Sequence, residues 1–214
     1  MDLIRMGNET GIIPVVVIEN ADDAVSTAKA LLEGGINFME ITLRTACALD
    51  AIRLVAEQVP EMIVGAGTVL CKSKALEAVA SGAKFIVSPG YDEETVKYCL
   101  EKGIDVIPGV VTPTEIMTAY NAGLRILKFF PADVYGGKKA LKALSGVFRD
   151  VRFLPTGGVN LTNMEEFISE PYIYAVGGSF VCTSSDISEH RFEDITSKAS
   201  KAREIITGVR EGRS

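Results

Sequence analysis

A lysine and a glutamate occur in two short apolar segments of the sequence, where a charge is unexpected. Lys128 lies within residues 125–131 (RILKFFP), and Glu40 lies within residues 38–44 (FMEITLR). An apolar environment favours the neutral form of an amine, and a neutral amine attacks carbonyl carbons. A carboxylate within reach of that amine could carry the protons that such a reaction needs. The two residues together are therefore the components of imine chemistry, with Lys128 as nucleophile and Glu40 as acid and base.

Glu40, Thr42 and Arg44 alternate with apolar residues, so a strand would place all three on one face. Buried polar side chains need partners or a function. One structural explanation is a buried Glu40–Arg44 ion pair that only holds the fold together. For Lys128 the corresponding explanation is a side chain that extends along apolar surface and keeps its ammonium in water at the rim. The residues alone leave these explanations open beside the catalytic one.

Two glycine pairs close later apolar segments. Gly157 and Gly158 follow residues 151–156, and Gly177 and Gly178 precede Ser179. Glycine lets the backbone approach a ligand closely, and backbone N–H groups at such turns bind phosphate. Because helix entry turns also use glycine, one pair alone would indicate little. Two pairs at the ends of the last two predicted strands favour a phosphate site.

The elements that would position these residues alternate regularly along the chain. Eight apolar segments rich in β-branched or aromatic residues predict buried strands, and eight segments with helical spacing separate them. The predicted strands are residues 12–18, 38–44, 62–67, 84–90, 105–110, 125–131, 151–155 and 172–178. The predicted helices are residues 21–35, 47–60, 72–82, 92–103, 112–123, 137–146, 161–170 and 188–210.

This alternation predicts parallel strands with right-handed crossovers. Eight such units favour a single (β/α)8 TIM barrel over residues 1–214, and an open doubly wound sheet is the alternative. In a barrel the chemistry lies at the carboxyl ends of the strands. Glu40, Lys128 and the two glycine pairs would then surround one mouth.

Composition narrows the classes of partner. The 214 residues are 47% hydrophobic and carry a net charge of −6, which predicts a continuous core and disfavours nucleic acid or an anionic membrane as partner. A small anionic substrate remains compatible with this charge. The four cysteines have no C-x-x-C spacing, and no signal peptide or membrane span is predicted, so we expect a cytoplasmic protein. With His190 as the single histidine, we expect neither a metal nor another cofactor.

Six segments, in order over nearly the whole chain, match a known family. They are EITLRT (40–45), VGAGTV (64–69), SPG (88–90), LKFFPA (127–132), PTGG (155–158) and GGS (177–179). The chain thereby resembles the 2-keto-3-deoxy-6-phosphogluconate aldolase / 4-hydroxy-2-oxoglutarate aldolase family. The resemblance implies a homotrimeric TIM-barrel lyase that binds a phosphorylated 2-keto acid and releases pyruvate and glyceraldehyde 3-phosphate without a metal.

The resemblance also implies roles for individual residues. By position, Lys128 corresponds to the imine-forming lysine and Glu40 to the general acid and base. Arg44 and Thr68 correspond to the residues that hold the carboxylate end of the keto acid, and Pro89 to the wall beside it. The residues that correspond to the phosphate cradle are Gly157, Gly158, Gly178 and Ser179.

The sequence departs from the family pattern in two places. The segment before residue 12 is shorter than usual, so we expect a truncated helix over the base of the barrel. Residues 180–186 read FVCTSSD, where the family has an aromatic residue, an aliphatic residue and then a proline. We expect this second departure to alter the rim of the phosphate site and substrate preference.

Three alternative functions remain beside this one. An aldolase for the galactonate epimer is disfavoured by Arg44, because such sequences lack the arginine four residues after the strand-two glutamate. A sugar-phosphate isomerase or epimerase would not form a covalent bond to Lys128. A non-catalytic phosphosugar-binding barrel would bind the ligand without turnover.

Overall fold

The computed structural model describes residue 7 and residues 9–212, in which short strands alternate with helices. The strands are β1 (Ile12–Val16), β2 (Phe38–Thr42), β3 (Ile63–Gly67), β4 (Phe85–Val87), β5 (Asp105–Ile107), β6 (Gly109–Val110), β7 (Ile126–Phe129), β8 (Arg152–Pro155) and β9 (Val176–Gly178). The helices are α1 (Asp23–Glu33), α2 (Ala48–Gln58), α3 (Lys72–Ala80), α4 (Glu93–Glu101), α5 (Pro113–Asn121), α6 (Gly137–Val147), α7 (Met164–Ile168), α8 (Ser184–Ser188) and α9 (Phe192–Glu211).

The strands form two parallel sheets, which makes the chain an α/β fold. One sheet has the order β5-β4-β3-β2-β1-β9, and the other has the order β6-β7-β8. Every pairing between these strands is parallel. A parallel bridge between Thr156 and Gly177 links the end of β8 to β9. The prediction of parallel βα units is therefore confirmed.

The predicted strand over residues 105–110 was wrong as a single element. The structure divides it into β5 and β6 at Pro108, which has no N–H to donate to a neighbouring strand. The Pro108 carbonyl still accepts a hydrogen bond from the Lys128 backbone N–H at 2.9 Å. The division therefore leaves β6 aligned beside the strand that carries Lys128.

All eight predicted helices are present, mostly with shorter bounds, but the sequence prediction missed α8. A capping box begins this helix: Thr183 and Asp186 each accept a hydrogen bond from the backbone N–H of the other. The last predicted helix starts later than expected, at Phe192, because His190 has a φ of +54° that interrupts helical geometry. The truncated helix expected at the base falls largely on residues outside the described part of the chain.

Side chains of the strands pack on two different sides. One side contacts the helices and includes Met39 and Ile41 of β2. The inner side forms a second apolar cluster, which we call the plug: Ile13, Phe38, Ile63, Phe85, Val87, Ile107, Ile126, Leu154, Tyr174 and Ala175. Burial on both sides explains why the strands are nearly continuous apolar segments. In the part of the chain that the structure describes, no helix is long and apolar enough to cross a membrane.

Candidate active site

The structure brings Lys128 and Glu40 together, although 88 positions separate them in the sequence. Lys128 Nζ lies 3.4 Å from Glu40 Oε1, and the two side chains are only 6% and 1% exposed. The ring of Phe130 lies beside the ammonium, with its centroid 5.2 Å from Nζ. Burial of Lys128 contradicts the explanation that its ammonium reaches water at the rim. The pair is a buried amine and a buried carboxylate in direct contact.

A glycine on the neighbouring strand makes room for the Glu40 carboxylate. In the register of β2 and β3, Gly65 is opposite Glu40 and Gly67 is opposite Thr42. A Cβ atom on Gly67 would lie 1.9 Å from Glu40 Oε1, which is far inside van der Waals contact. Any larger residue at position 67 would therefore displace the carboxylate from Lys128.

Thr42 occupies the position beyond Glu40 on the same face of β2. Its side chain is fully buried, as the alternation along the strand predicted. Among the described residues, neither Thr42 Oγ1 nor Glu40 Oε2 has a hydrogen-bond partner. Buried polar atoms in native proteins are nearly always paired, so these two are exceptions close to a buried lysine.

Arg44 lies just past the end of β2 and is exposed. Its Nε donates to Thr68 Oγ1 at 3.2 Å. The explanation of a buried Glu40–Arg44 ion pair is therefore wrong, since Glu40 pairs with Lys128 and Arg44 is exposed and contacts Thr68. Thr68 has a φ of +57°, which is unusual for a β-branched residue. Strained backbone of this kind is concentrated at functional sites.

Pro89 follows β4 and packs against β6. A Cβ atom on Gly109 would lie 2.0 Å from the Pro89 carbonyl oxygen, so the two backbones are in close contact. Ser88 is buried and donates from Oγ to the Gly90 carbonyl at 2.7 Å, which fixes the turn around the proline. Pro89 is thus rigidly held next to the strand that flanks Lys128.

The two glycine pairs lie side by side. Gly157 and Gly158 have φ values of +99° and +73°, which glycine adopts at little cost. The bridge between Thr156 and Gly177 places the second pair next to the first. Ser179 follows as an exposed residue at the end of β9. The arrangement provides backbone amides at two adjacent strand ends, with the Ser179 hydroxyl next in the sequence.

The segment after Ser179 is tied to α9 by one buried carboxylate, a feature that the sequence prediction missed. Asp186 is 1% exposed and accepts from Lys198 Nζ at 2.7 Å, from Arg191 at 3.0 Å and from the backbone N–H of Thr183 at 3.1 Å. Burial acts to raise the pKa of Asp186, but these hydrogen bonds outweigh it and hold the pKa well below its ordinary value. The spacing of Thr183 and Asp186 in the sequence was the signal that could have predicted this capping box.

A sequence model of the KDPG and KHG aldolase family matches residues 4–198. The chain belongs to this family. A 2-dehydro-3-deoxy-phosphogluconate aldolase of Dickeya dadantii is 44% identical over 92% of this chain and 92% of its own length. A KHG/KDPG aldolase of Escherichia coli K12 is 42% identical over 93% of this chain and 92% of its own length.

Solved structures of the family agree with the fold. The KDPG aldolase of Legionella pneumophila, crystallised with pyruvate captured as a covalent carbinolamine, superposes with a TM-score of 0.90. The two sequences are 38% identical, and the match covers 94% of this chain and 97% of the other. The family resemblance seen in the sequence segments is therefore confirmed over nearly the whole chain.

Proposed function

We propose that this chain is a lyase that cleaves 2-dehydro-3-deoxy-6-phosphogluconate to pyruvate and glyceraldehyde 3-phosphate through a Schiff base on Lys128. The observation that carries the proposal is the contact of 3.4 Å between the buried amine and the buried Glu40 carboxylate. A buried lysine beside a proton carrier has the parts of a class I aldolase. Membership of the KDPG and KHG aldolase family supports the same reaction.

The reaction begins when the Lys128 amine attacks the C2 carbonyl carbon of the substrate. Loss of water from the carbinolamine gives an iminium, with Glu40 transferring protons at both stages. Glu40 then removes the proton of the C4 hydroxyl, and the C3–C4 bond breaks. Its electron pair forms the C2–C3 double bond while the iminium π pair moves to nitrogen, which gives the enamine. The aldehyde product leaves. Protonation at C3 and addition of water then release pyruvate and restore the amine.

We assign the remaining site residues to substrate binding. The guanidinium of Arg44 and the hydroxyl of Thr68 would hold the carboxylate of the keto acid, with Pro89 as the adjoining wall. The phosphate would bind to the backbone amides and hydroxyl at the opposite side of the mouth, contributed by Gly157, Gly158, Gly178 and Ser179. This division places C2 of the substrate between the two binding ends, where Lys128 lies.

Borohydride trapping tests the assignment of Lys128. Reduction in the presence of pyruvate should inactivate the enzyme and add the reduced pyruvate adduct to the peptide that contains residues 125–131. Peptide mass mapping locates the adduct, and reduction without pyruvate is the control. Labelling of another lysine would contradict the assignment. An isomerase, an epimerase or a non-catalytic sugar-phosphate protein would show no adduct at all.

We propose 4-hydroxy-2-oxoglutarate as a second substrate, because the matching family includes enzymes for both compounds. This substrate lacks the phosphate, so it forgoes charge-assisted hydrogen bonds of about 1.5–3 kcal/mol each. Its kcat/KM should be lower by roughly tenfold or more for each bond lost. Equal efficiency on the two substrates would refute the phosphate site. Assay of the galactonate epimer in parallel tests the disfavoured alternative.

We further propose a closed (β/α)8 barrel in one domain over residues 1–214, assembled as a cytoplasmic homotrimer. The alternation of eight βα units and the family resemblance support closure and assembly. The bridge from Thr156 to Gly177 supports contact between the ends of the two sheets. Light scattering coupled to size-exclusion chromatography measures the assembly, and a single cooperative unfolding transition would agree with one domain.

A further inference from the structure

Thr42 stands out among the groups around Lys128 because its hydroxyl is both fully buried and unpaired. The described residues contain few buried side-chain atoms of this kind, and one of the others is Glu40 Oε2. Leaving a buried hydroxyl without a partner is costly, and a valine of the same shape would avoid that cost. A threonine at this position is therefore unfavourable for stability alone.

Thr42 and Glu40 are neighbours on one face of one strand. They lie two residues apart on β2, so their Cα atoms are about 6.6 Å apart. Glu40 is bound to Lys128 through Oε1, and its second oxygen has no partner among the described residues. A glutamate side chain can span the distance to the next inward position of its strand. An unpaired donor and an unpaired acceptor thus occupy successive positions on one face of β2.

The chemistry at Lys128 changes what Glu40 can bind. When the ammonium condenses with a carbonyl, the product is an iminium with one N–H, and two of its three protons leave with the carbonyl oxygen as water. The Glu40 carboxylate then faces one N–H group at Lys128 instead of three. Another donor at a fixed place is needed to keep Glu40 oriented toward the substrate while it moves protons.

We propose that Thr42 is a positioning residue, whose hydroxyl donates to Glu40 Oε2 once Lys128 carries the substrate. The inference rests on the proposed function, since it assumes an imine at Lys128. It assigns to the buried hydroxyl a role in orienting the acid and base rather than in binding the substrate. Thr42 therefore acts on the rate of proton transfer and leaves substrate affinity unchanged.

The test compares Thr42→Val, which removes the hydroxyl but keeps the shape, with Thr42→Ser, which keeps the hydroxyl. Thr27→Val is the matched control, because Thr27 on α1 is also fully buried with an unpaired hydroxyl. The measurements are kcat and KM for cleavage, exchange of the methyl protons of pyruvate with D2O, borohydride trapping and thermal melting. Exchange reports proton transfer by Glu40 on the enamine, and trapping reports the imine.

Thr42→Val should lower kcat and the exchange rate by about tenfold to hundredfold, as expected for a lost hydrogen bond to a charged group. KM, imine trapping and melting temperature should stay near the wild-type values or, for melting, rise. Thr42→Ser should restore most of the rate, and Thr27→Val should leave the rate unchanged. If Thr42→Val does not fold, Thr42→Ala and Thr42→Ser provide the comparison, because both lack the methyl group and only Thr42→Ser keeps the hydroxyl.

Wild-type rates in Thr42→Val would overturn the inference, as would a rise in KM with kcat preserved, which would indicate contact with the substrate. Loss of activity in Thr42→Ser but not in Thr42→Val would also overturn it, because the methyl group would then be the important part. Wild-type enzyme is assayed and trapped in parallel. Failure of the wild type to cleave or to be trapped would refute the proposed function separately.

Discussion

The same strands carry two inner layers of opposite character. Toward the amino end of β2 the inward residue is Phe38, and two residues later it is Glu40; on β7 the inward residues are Ile126 and then Lys128. The first layer is the plug, which adjoins a cavity of about 290 Å³ lined mainly by apolar residues. The second layer holds the buried ion pair. On each strand, two residues thus separate the apolar plug, which stabilises the fold, from the layer that holds the ion pair.

The largest effect should come from Lys128→Met. Without the amine no imine can form, so kcat should fall by about 10⁴-fold or more. The variant should also be less stable by about 3–5 kcal/mol, because Glu40 is left as an unpaired buried charge. Adding Glu40→Gln to Lys128→Met should recover much of the stability and none of the activity. Urea denaturation and steady-state kinetics measure both, and a double variant as unstable as the single one would contradict this interpretation.

Glu40→Gln alone should separate binding from proton transfer. The amide keeps the shape but cannot carry a proton, so kcat should fall by about 10²–10⁴-fold. Trapping with pyruvate and borohydride should still label Lys128, though more slowly. A variant that melts far below the wild type and loses KM and kcat in parallel would instead identify Glu40 as a structural residue.

Phe38→Ala should affect the other layer. Removal of a fully enclosed phenylalanine costs about 3–5 kcal/mol, and the neighbouring cavity makes collapse around the gap difficult. The folded enzyme should keep a kcat close to wild type, because Glu40 and Lys128 stay on their strands. Kinetics well below the melting transition provide the measurement. A large loss of kcat without loss of stability would show that the two layers are not independent.

Arg44→Lys should give the smallest effect. The substitution keeps the charge at the mouth but loses the planar guanidinium that binds a carboxylate through two nitrogens. We expect KM to rise by about tenfold, with a smaller fall in kcat, since the contact is similar in the ground and transition states. Melting should be unchanged because Arg44 is exposed. A lower melting temperature would mean that the contact with Thr68 stabilises the fold.

The buried pair of Lys128 and Glu40 was noticeable in the sequence because it violates a local rule. A charged residue in a strand that is apolar on both sides is costly, so Lys128 and Glu40 were visible as exceptions in the sequence. The order of βα units then predicted that both strands would be parallel and would end at one mouth. The apolar pattern of each strand and the order of the βα units along the chain were enough for these two predictions.

Other features depend on register between strands, which the sequence pattern does not determine. The space that Gly67 leaves for Glu40 exists because β2 and β3 pair at one alignment out of several. The contact between Arg44 and Thr68 depends on the same pairing together with an unusual φ at Thr68. The division at Pro108 was accessible, since proline interrupts a strand interior, but the apolar pattern around it favoured one strand.

The buried Asp186 has a consequence for acid conditions. A carboxylate whose pKa is depressed in the folded state contributes stability that is complete above its unfolded pKa of about 3.9 and is lost as the pH falls through the folded value. The segment after Ser179 should therefore keep its hydrogen-bonded order from neutral pH down to about pH 4. A change of rate in that interval therefore does not originate in protonation of Asp186.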